Sequence, residues 1–224
     1  MTDSSQNLKV LNANLDNQEF EGVYGSYRIT EADKIEVRCY RISLLVCGIA
    51  FTAGMSHWLL IGPELAWLWL IPITIGLGLA LKWIHIYISL LHKSLQIFWG
   101  LGCIGLATLI LNLGSENVLP KLASNPSLIL VIGPLFAALT GLGFKEFFCF
   151  RRIEAIGLTI LIPIALLGHL SGILNGAIVM ALLSISSALL LILSIRKFGM
   201  DASSDIGDKS VFTYLSNQQS MQNL

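Results

Sequence analysis

Few residues in this chain have the chemistry to act on anything, and two histidines come first. His57 stands sixteen residues after Arg41 and His169 fifteen after Glu154. On straight helices both rings would lie roughly 22–24 Å beyond those charged residues, at one depth. Two parallel helices presenting imidazoles at one depth form a candidate cofactor site for haem iron or another metal, with Glu64 or Glu116 as further donors from loops. The ordinary alternative is a pair of neutral imidazoles, each hydrogen-bonded across helices or near headgroups. Gly168 and Gly172 flank His169 at a spacing suited to close helix contact, leaving its ring to reach Ser56, Ser171 or a headgroup. The ordinary alternative is preferred, so no cofactor and no metal site are expected. His85 and His92 are seven residues apart, about 10 Å on a helix and too far to share one ion.

The charged residues form two clusters. Lys34, Arg38 and Arg41 recur at i, i+4 and i+7, while Lys145, Glu146, Arg151, Arg152 and Glu154 lie together further on. Such basic residues anchor a helix to anionic headgroups, at about 1 kcal/mol each near the surface. The sharper reading joins both clusters in one docking or ligand face, with Glu36 or Glu154 pairing to an arginine of the opposite cluster. Lys197 reads as a plain topological anchor. The four cysteines, Cys39, Cys47, Cys103 and Cys149, contain no CxxC pair and are expected to be reduced. No glycine-rich phosphate loop, nucleophile elbow, HExxH or aspartate-rich metal motif occurs, so no catalytic residue is assigned.

The elements that position these residues follow from composition. Of 224 residues 54% are hydrophobic and 12% charged, against about a quarter charged in a soluble domain, so the chain belongs in a membrane. Its net charge is zero, which removes the basis for nucleic-acid binding. Six stretches, near 42–61, 65–81, 95–113, 127–144, 155–170 and 177–195, are long enough to cross a hydrocarbon core of about 30 Å, and none contains Asp, Glu, Lys or Arg. The expected fold is all-α: a polytopic bundle of about six transmembrane helices. Residues 1–23 read as a disordered polar tail, 24–199 as the membrane domain with an entry helix, and 200–224 as a second disordered tail.

Local signals mark the ends. Thr30 with Asp33 resembles a capping box that starts a helix at Glu31. Gly62-Pro63, Gly114, Asn125-Pro126 and Asn175-Gly176 punctuate the later spans. Residues 82–93 carry Lys82, His85, Ser89 and His92 on one helical face, although Ile84, Ile86 and Ile88 alternate as in a strand. A short interfacial amphipathic helix is preferred there. Small residues at four-residue spacing, most clearly Gly168, Gly172 and Gly176, read as helix-packing faces, and Pro134 and Pro163 permit kinks. Thirteen Lys and Arg residues fall on one side of the alternating connections and only Lys121 on the other, which predicts both termini in the cytoplasm.

Two blocks, YGSYRITEADKIEVRCYRIS at 24–43 and FCFRRIEAIGLTILIPIALLGHL at 148–170, together with the six-span plan, resemble an uncharacterised integral-membrane family of cyanobacteria. The resemblance implies a thylakoid or plasma membrane and carries no activity or site. The leading functional expectation is a non-enzymatic accessory or assembly factor of a membrane complex, partnered by the lipid bilayer and by a membrane protein or a second copy. A permease or channel for a small neutral solute, using Thr74, Thr140, Thr159, Asn112 or Asn175, is the second. A haem-, pigment- or quinone-binding enzyme centred on the histidines is the third.

Overall fold

The structure is a computed structural model and describes residues 19–86, 88–211, 214–215 and 217–218. Six helical stretches in it are long and apolar enough to cross a membrane. The chain divides into two compact units, one formed by residues 1–39 with 200–224 and one by Tyr40–Gly199.

The larger unit is the helix bundle. Helix α1 (Glu31–Leu60) leads into it. There follow α2 (Leu70–Trp83, entered through a 3₁₀ turn), α3 (Ser89–Leu113), α4 (Val118–Ser124), α5 (Ile129–Phe150), α6 (Ile153–Leu170) and α7 (Gly176–Lys197). Sequence neighbours pack together: α3 lies on α5, α5 on α6 and α6 on α7. Leu44, Leu77, Ala138, Leu142, Ile162 and Leu190 are fully buried, whereas Leu111, Leu130 and Leu167 stay exposed, as an apolar solvent allows. The closest backbone approach is between α3 and α5, where a Cβ on Gly102 or Gly105 would run into the backbone of Leu135 or Val131. Gly48 on α1 meets the backbone of Leu191 on α7 in the same manner.

Several connections follow the local signals. Gly62 and Gly114 adopt the positive φ expected of them, and the Asn175 side chain caps α7 by accepting from Ile178 N at 2.9 Å. The glycine series at 168, 172 and 176 is corrected. Gly172 sits at φ 71° and reverses the chain, so that Leu174 N bonds back to Gly168 O at 3.0 Å. The Gly168 face is filled by the Leu174 side chain and nothing lies near Gly176, so this spacing belongs to a helix end and not to a helix–helix contact.

The interfacial helix is corrected as well. Helix α2 stops at Trp83, Ile84 is extended (φ −71°, ψ 131°) and buried, and α3 already begins at Ser89. The β-branched isoleucines favour the extended link. His92 donates through Nε2 to Leu81 O at 2.6 Å, satisfying a carbonyl at the end of α2.

The smaller unit holds the β1–β2 hairpin, Glu19–Gly22 paired antiparallel with Gly25–Arg28. Thr30 N and Oγ1 donate to Asp33 Oδ2 (2.7 and 2.8 Å), and Asp33 N donates to Thr30 Oγ1 (3.3 Å), so the capping box is formed and the helix starts at Glu31. Lys209 donates to both Asp33 oxygens at 2.7 and 2.9 Å. Val23 N donates to Asp208 Oδ2 (2.7 Å), Tyr24 N to Ser210 Oγ (3.0 Å), and the Tyr24 and Tyr214 rings stack at 4.0 Å. Ile29, Val37 and Ile206 make a small core of their own. Strand β1 and helix α8 (Ala202–Ile206) thus stand within segments expected as disordered tails. Cross-chain bonds and a buried Ile206 order them, neither of which shows in local composition. Residues 1–18 and 219–224 of those tails lie outside the described residues.

Candidate functional site

Charge inside the bundle is concentrated at one point. Glu146, near the C-terminal end of α5, is fully buried. Its Oε1 accepts from Tyr40 Oη on α1 at 2.5 Å and from Lys145 Nζ at 3.0 Å, and its Oε2 accepts from Lys197 Nζ, the last residue of α7, at 2.6 Å. Both ammonium groups also lie over aromatic faces. Lys197 is 4.1 Å from the Phe150 ring centre and 5.3 Å from that of Tyr40, and Lys145 is 5.3 Å from each. One carboxylate therefore ties α1, α5 and α7 together. Its lone pairs are taken up by protein donors, so it is a cross-link and not a reagent.

This arrangement overturns two expectations. Lys197, read as an anchor in the headgroups, is 1% exposed and forms a fully buried ion pair with Glu146. Lys145 and Glu146 are core residues and not part of a docking face. Glu154, expected to reach an arginine of the first cluster, instead pairs with Arg196 of α7, and its Oε2 is buried with no partner. Of the remaining cluster residues, Lys34 pairs with Glu31 within its own helix, Arg38 is exposed and Arg41 is buried, so the stripe is not one uniform surface. Arg151 ends α5 in the left-handed conformation (φ 49°), and Arg152 caps α6 by accepting from Ala155 N and Ile156 N through its carbonyl. Sequence reasoning missed Tyr40 and Lys197. The available signal was a basic pair, Arg196 and Lys197, closing an otherwise uncharged 22-residue helix.

A chamber of about 240 Å³ lies between α1, α4, α5, α6 and α7. Trp58, Leu122, Phe136 and Leu183 line it, with His169 the sole titratable side chain at the wall. Helix α4 covers it: Val118, Leu119 and Leu122 are buried on a connection without a helical signal of its own. His169 donates through Nε2 to Leu122 O at 3.0 Å, which fastens α6 to that cover. A smaller void of about 70 Å³ shares Trp58, Leu70, Leu119, Phe136 and Leu183 with it.

The two histidines do not work as a pair. His57 Nδ1 accepts from the Trp69 indole N–H at 3.2 Å, while His169 is held by α4. Each ring has its own partner on a different element, and His57 does not line the chamber. Four of the five residues considered for a solute path are consumed locally: Thr74 bonds Leu70 O, Thr159 bonds Ala155 O, Asn112 bonds Thr108 O and Asn175 caps α7, while the buried Thr140 hydroxyl has no hydrogen-bond partner among the described residues.

Residues 79–214 match a protein family described as uncharacterised integral membrane protein (DUF2301). The chain belongs to this family. The matched range takes in five of the six bundle helices that follow α1, namely α3 to α7, together with the whole of the 148–170 block and the ion cluster apart from Tyr40. The 24–43 block lies outside it. Among curated proteins, an uncharacterised protein of Haemophilus influenzae is 39% identical over 84 residues, 37% of this chain and 48% of the relative. The chain thus spans about half the length of the curated relative it matches. No solved structure matches.

Proposed function

We propose that this protein acts by binding and not by catalysis, as an accessory protein of the membrane that holds an apolar molecule in the chamber beside His169. The chamber carries the reading: a 240 Å³ space walled by apolar side chains, under a dedicated helical cover, with one polar group at its edge. Acid–base chemistry has little support there, because the carboxylate of the bundle core is engaged by three donors away from the chamber. A path for a polar solute has less, since Thr74, Thr159, Asn112 and Asn175, four of the five residues considered for it, bond their own helices.

Exposed Arg38 and Arg151 suit anionic headgroups or an acidic segment of a membrane-protein partner. The cytoplasmic placement of both termini rests on the thirteen-to-one distribution of Lys and Arg. A photosynthetic membrane rests on the two quoted blocks alone. The test is purification of the full chain in gentle detergent, an absorption spectrum, and mass spectrometry of the organic extract. Wild type is expected to retain an apolar molecule in stoichiometric amount. Gly176→Leu is expected to lose it, because that glycine lines the chamber and has open space at its Cβ position. An empty wild type, or equal retention by both, would sink the proposal, and a stoichiometric haem band would replace it.

A further inference from the structure

The chamber beside His169 lies at one end of the bundle. Trp58 stands two residues before the end of α1 and His169 one before the end of α6, while Ile129 and Gly176 are the first residues of α5 and α7. Phe136 and Leu183 come seven residues further into α5 and α7, about 10 Å deeper at helical rise. The space is therefore a pit that starts where the spanning helices end and descends about 10 Å into the hydrocarbon. Of its lining residues Ala123 and Gly176 are exposed, and they mark its mouth.

Two polar groups line this pit, one acceptor and one donor. His169 Nε2 meets a carbonyl, Leu122 O, at 3.0 Å, so the proton of the neutral ring sits on Nε2 and Nδ1 is left as an acceptor. The Trp58 indole N–H can only donate. Neither His169 Nδ1 nor Trp58 Nε1 has a hydrogen-bond partner among the described residues. Both differ from Trp67 Nε1, Thr140 Oγ1 and Glu154 Oε2, which are unpartnered and sealed off. Trp69 and Trp99, by contrast, donate to His57 Nδ1 and Thr74 O, as indoles in protein interiors ordinarily do. An unmet donor and an unmet acceptor on one wall are together complementary to a hydroxyl, which both accepts and donates.

Charge and size narrow the ligand further. No cation lines the pit, so a carboxylate or phosphate head finds no counter-charge there. Its volume, about 240 Å³, is below the roughly 300–1,000 Å³ of sites that enclose a drug-sized molecule, so it suits one hydrocarbon chain and not a two-chain lipid. Lipid tails are as apolar as the leucines of the wall, so a chain gains little over the bilayer and its head decides what is retained.

We infer that the chamber holds a single-chain lipid with an uncharged hydroxyl head, a long-chain alcohol, its hydroxyl at the level of Trp58 and His169 and its chain running toward Phe136 and Leu183. This rests on the chamber being a binding site for an apolar molecule, and it supplies the ligand class and the orientation in which it is held.

The full chain in phosphatidylcholine nanodiscs is equilibrated with tritiated decan-1-ol, and binding to protein-free nanodiscs is subtracted. Single-site saturation is expected. Unlabelled decan-1-ol should displace the label about fivefold better than decyl methyl ether, which accepts and cannot donate, and decane and ionised decanoate should displace it least. Trp58→Phe and His169→Phe should each weaken decanol binding about fivefold, the effect of losing one hydrogen bond. His169→Gln keeps an amide donor for Leu122 O and an acceptor, and should bind better than His169→Phe. Trp67→Phe, outside the chamber, should bind as wild type. Equal displacement by alcohol, ether and alkane, or unchanged binding by both Trp58→Phe and His169→Phe, would overturn the alcohol assignment and leave the apolar chamber standing. Absence of saturable decanol binding would overturn it too, and only an organic extract that is also empty would take the chamber's binding role with it.

Discussion

Replacing Glu146 by Gln changes one atom type and removes the charge that holds two buried ammonium groups. Lys145 and Lys197 are 5% and 1% exposed, so neither can recover hydration without moving helix α5 or α7. Breaking a buried pair from one side typically costs about 3–5 kcal/mol, because an uncompensated charge is left behind. For a chain of this size each kcal/mol shifts the unfolding midpoint by about 2–4 °C, so the variant should unfold roughly 6–20 °C below wild type. Tryptophan fluorescence during heating in detergent reads the change. Two controls separate charge from packing. Lys145→Met, Glu146→Leu and Lys197→Met together should recover most of the midpoint, as apolar replacements of whole ion clusters often do. Arg38→Gln, at an exposed site, should leave it near wild type. An unshifted Glu146→Gln midpoint would refute the claim that this cluster holds the three helices together.

The hairpin unit should respond to acid. The Ser210 hydroxyl and then the Val23 N–H hold the Asp208 carboxyl below the ordinary carboxylate range, so its contribution is present above that range and is lost as pH falls through the folded value. The protection factor of the Val23 amide, its exchange relative to an unstructured amide at the same pH, should fall on acidification, and Asp208→Asn should remove that pH dependence. At the α3–α5 crossing, Gly105→Ala would drive a methyl into the Val131 carbonyl and should destabilise by about 1–3 kcal/mol. Gly100→Ala, with open space at the same step, should be neutral or stabilising by up to about 1 kcal/mol in thermal unfolding. A reporter beside Lys121 should face away from tags on both termini in sealed vesicles; a reporter on the same side as the tags would refute the orientation.

The six spans were legible because a lipid solvent imposes one long apolar run per crossing. The observed helices differ from the sequence reading mainly by extending past the apolar runs, to Phe150 at the end of α5 and Lys197 at the end of α7. Caps were legible for the same local reason: Thr30 with Asp33 and Asn175 with Ile178 satisfy groups a few residues away. The ion cluster was not. Tyr40 and Glu146 are 106 positions apart and Glu146 and Lys197 are 51 apart, so no window of sequence contains the arrangement. Charge at a span end has two destinations, headgroups or a neighbouring helix, and only the packing of α1, α5 and α7 decides between them. The histidine partners were hidden in the complementary way. Equal depth is a one-dimensional inference, and the partners of the two rings, Trp69 and Leu122, depend on rotation about each helix axis and on a helical cover that its sequence did not announce.

The position of Glu146 also sets a condition on synthesis. Its adjacent partner, Lys145, emerges from the ribosome beside it, but Lys197 follows 51 residues later. At about 5–20 residues per second this interval lasts some seconds. Throughout it, α5 must hold a carboxylate at the boundary of the bilayer with one cation and a tyrosine for company. The sixth of the spanning helices therefore arrives as the latch of the bundle, and until it does the Glu146 carboxylate has two of its three donors.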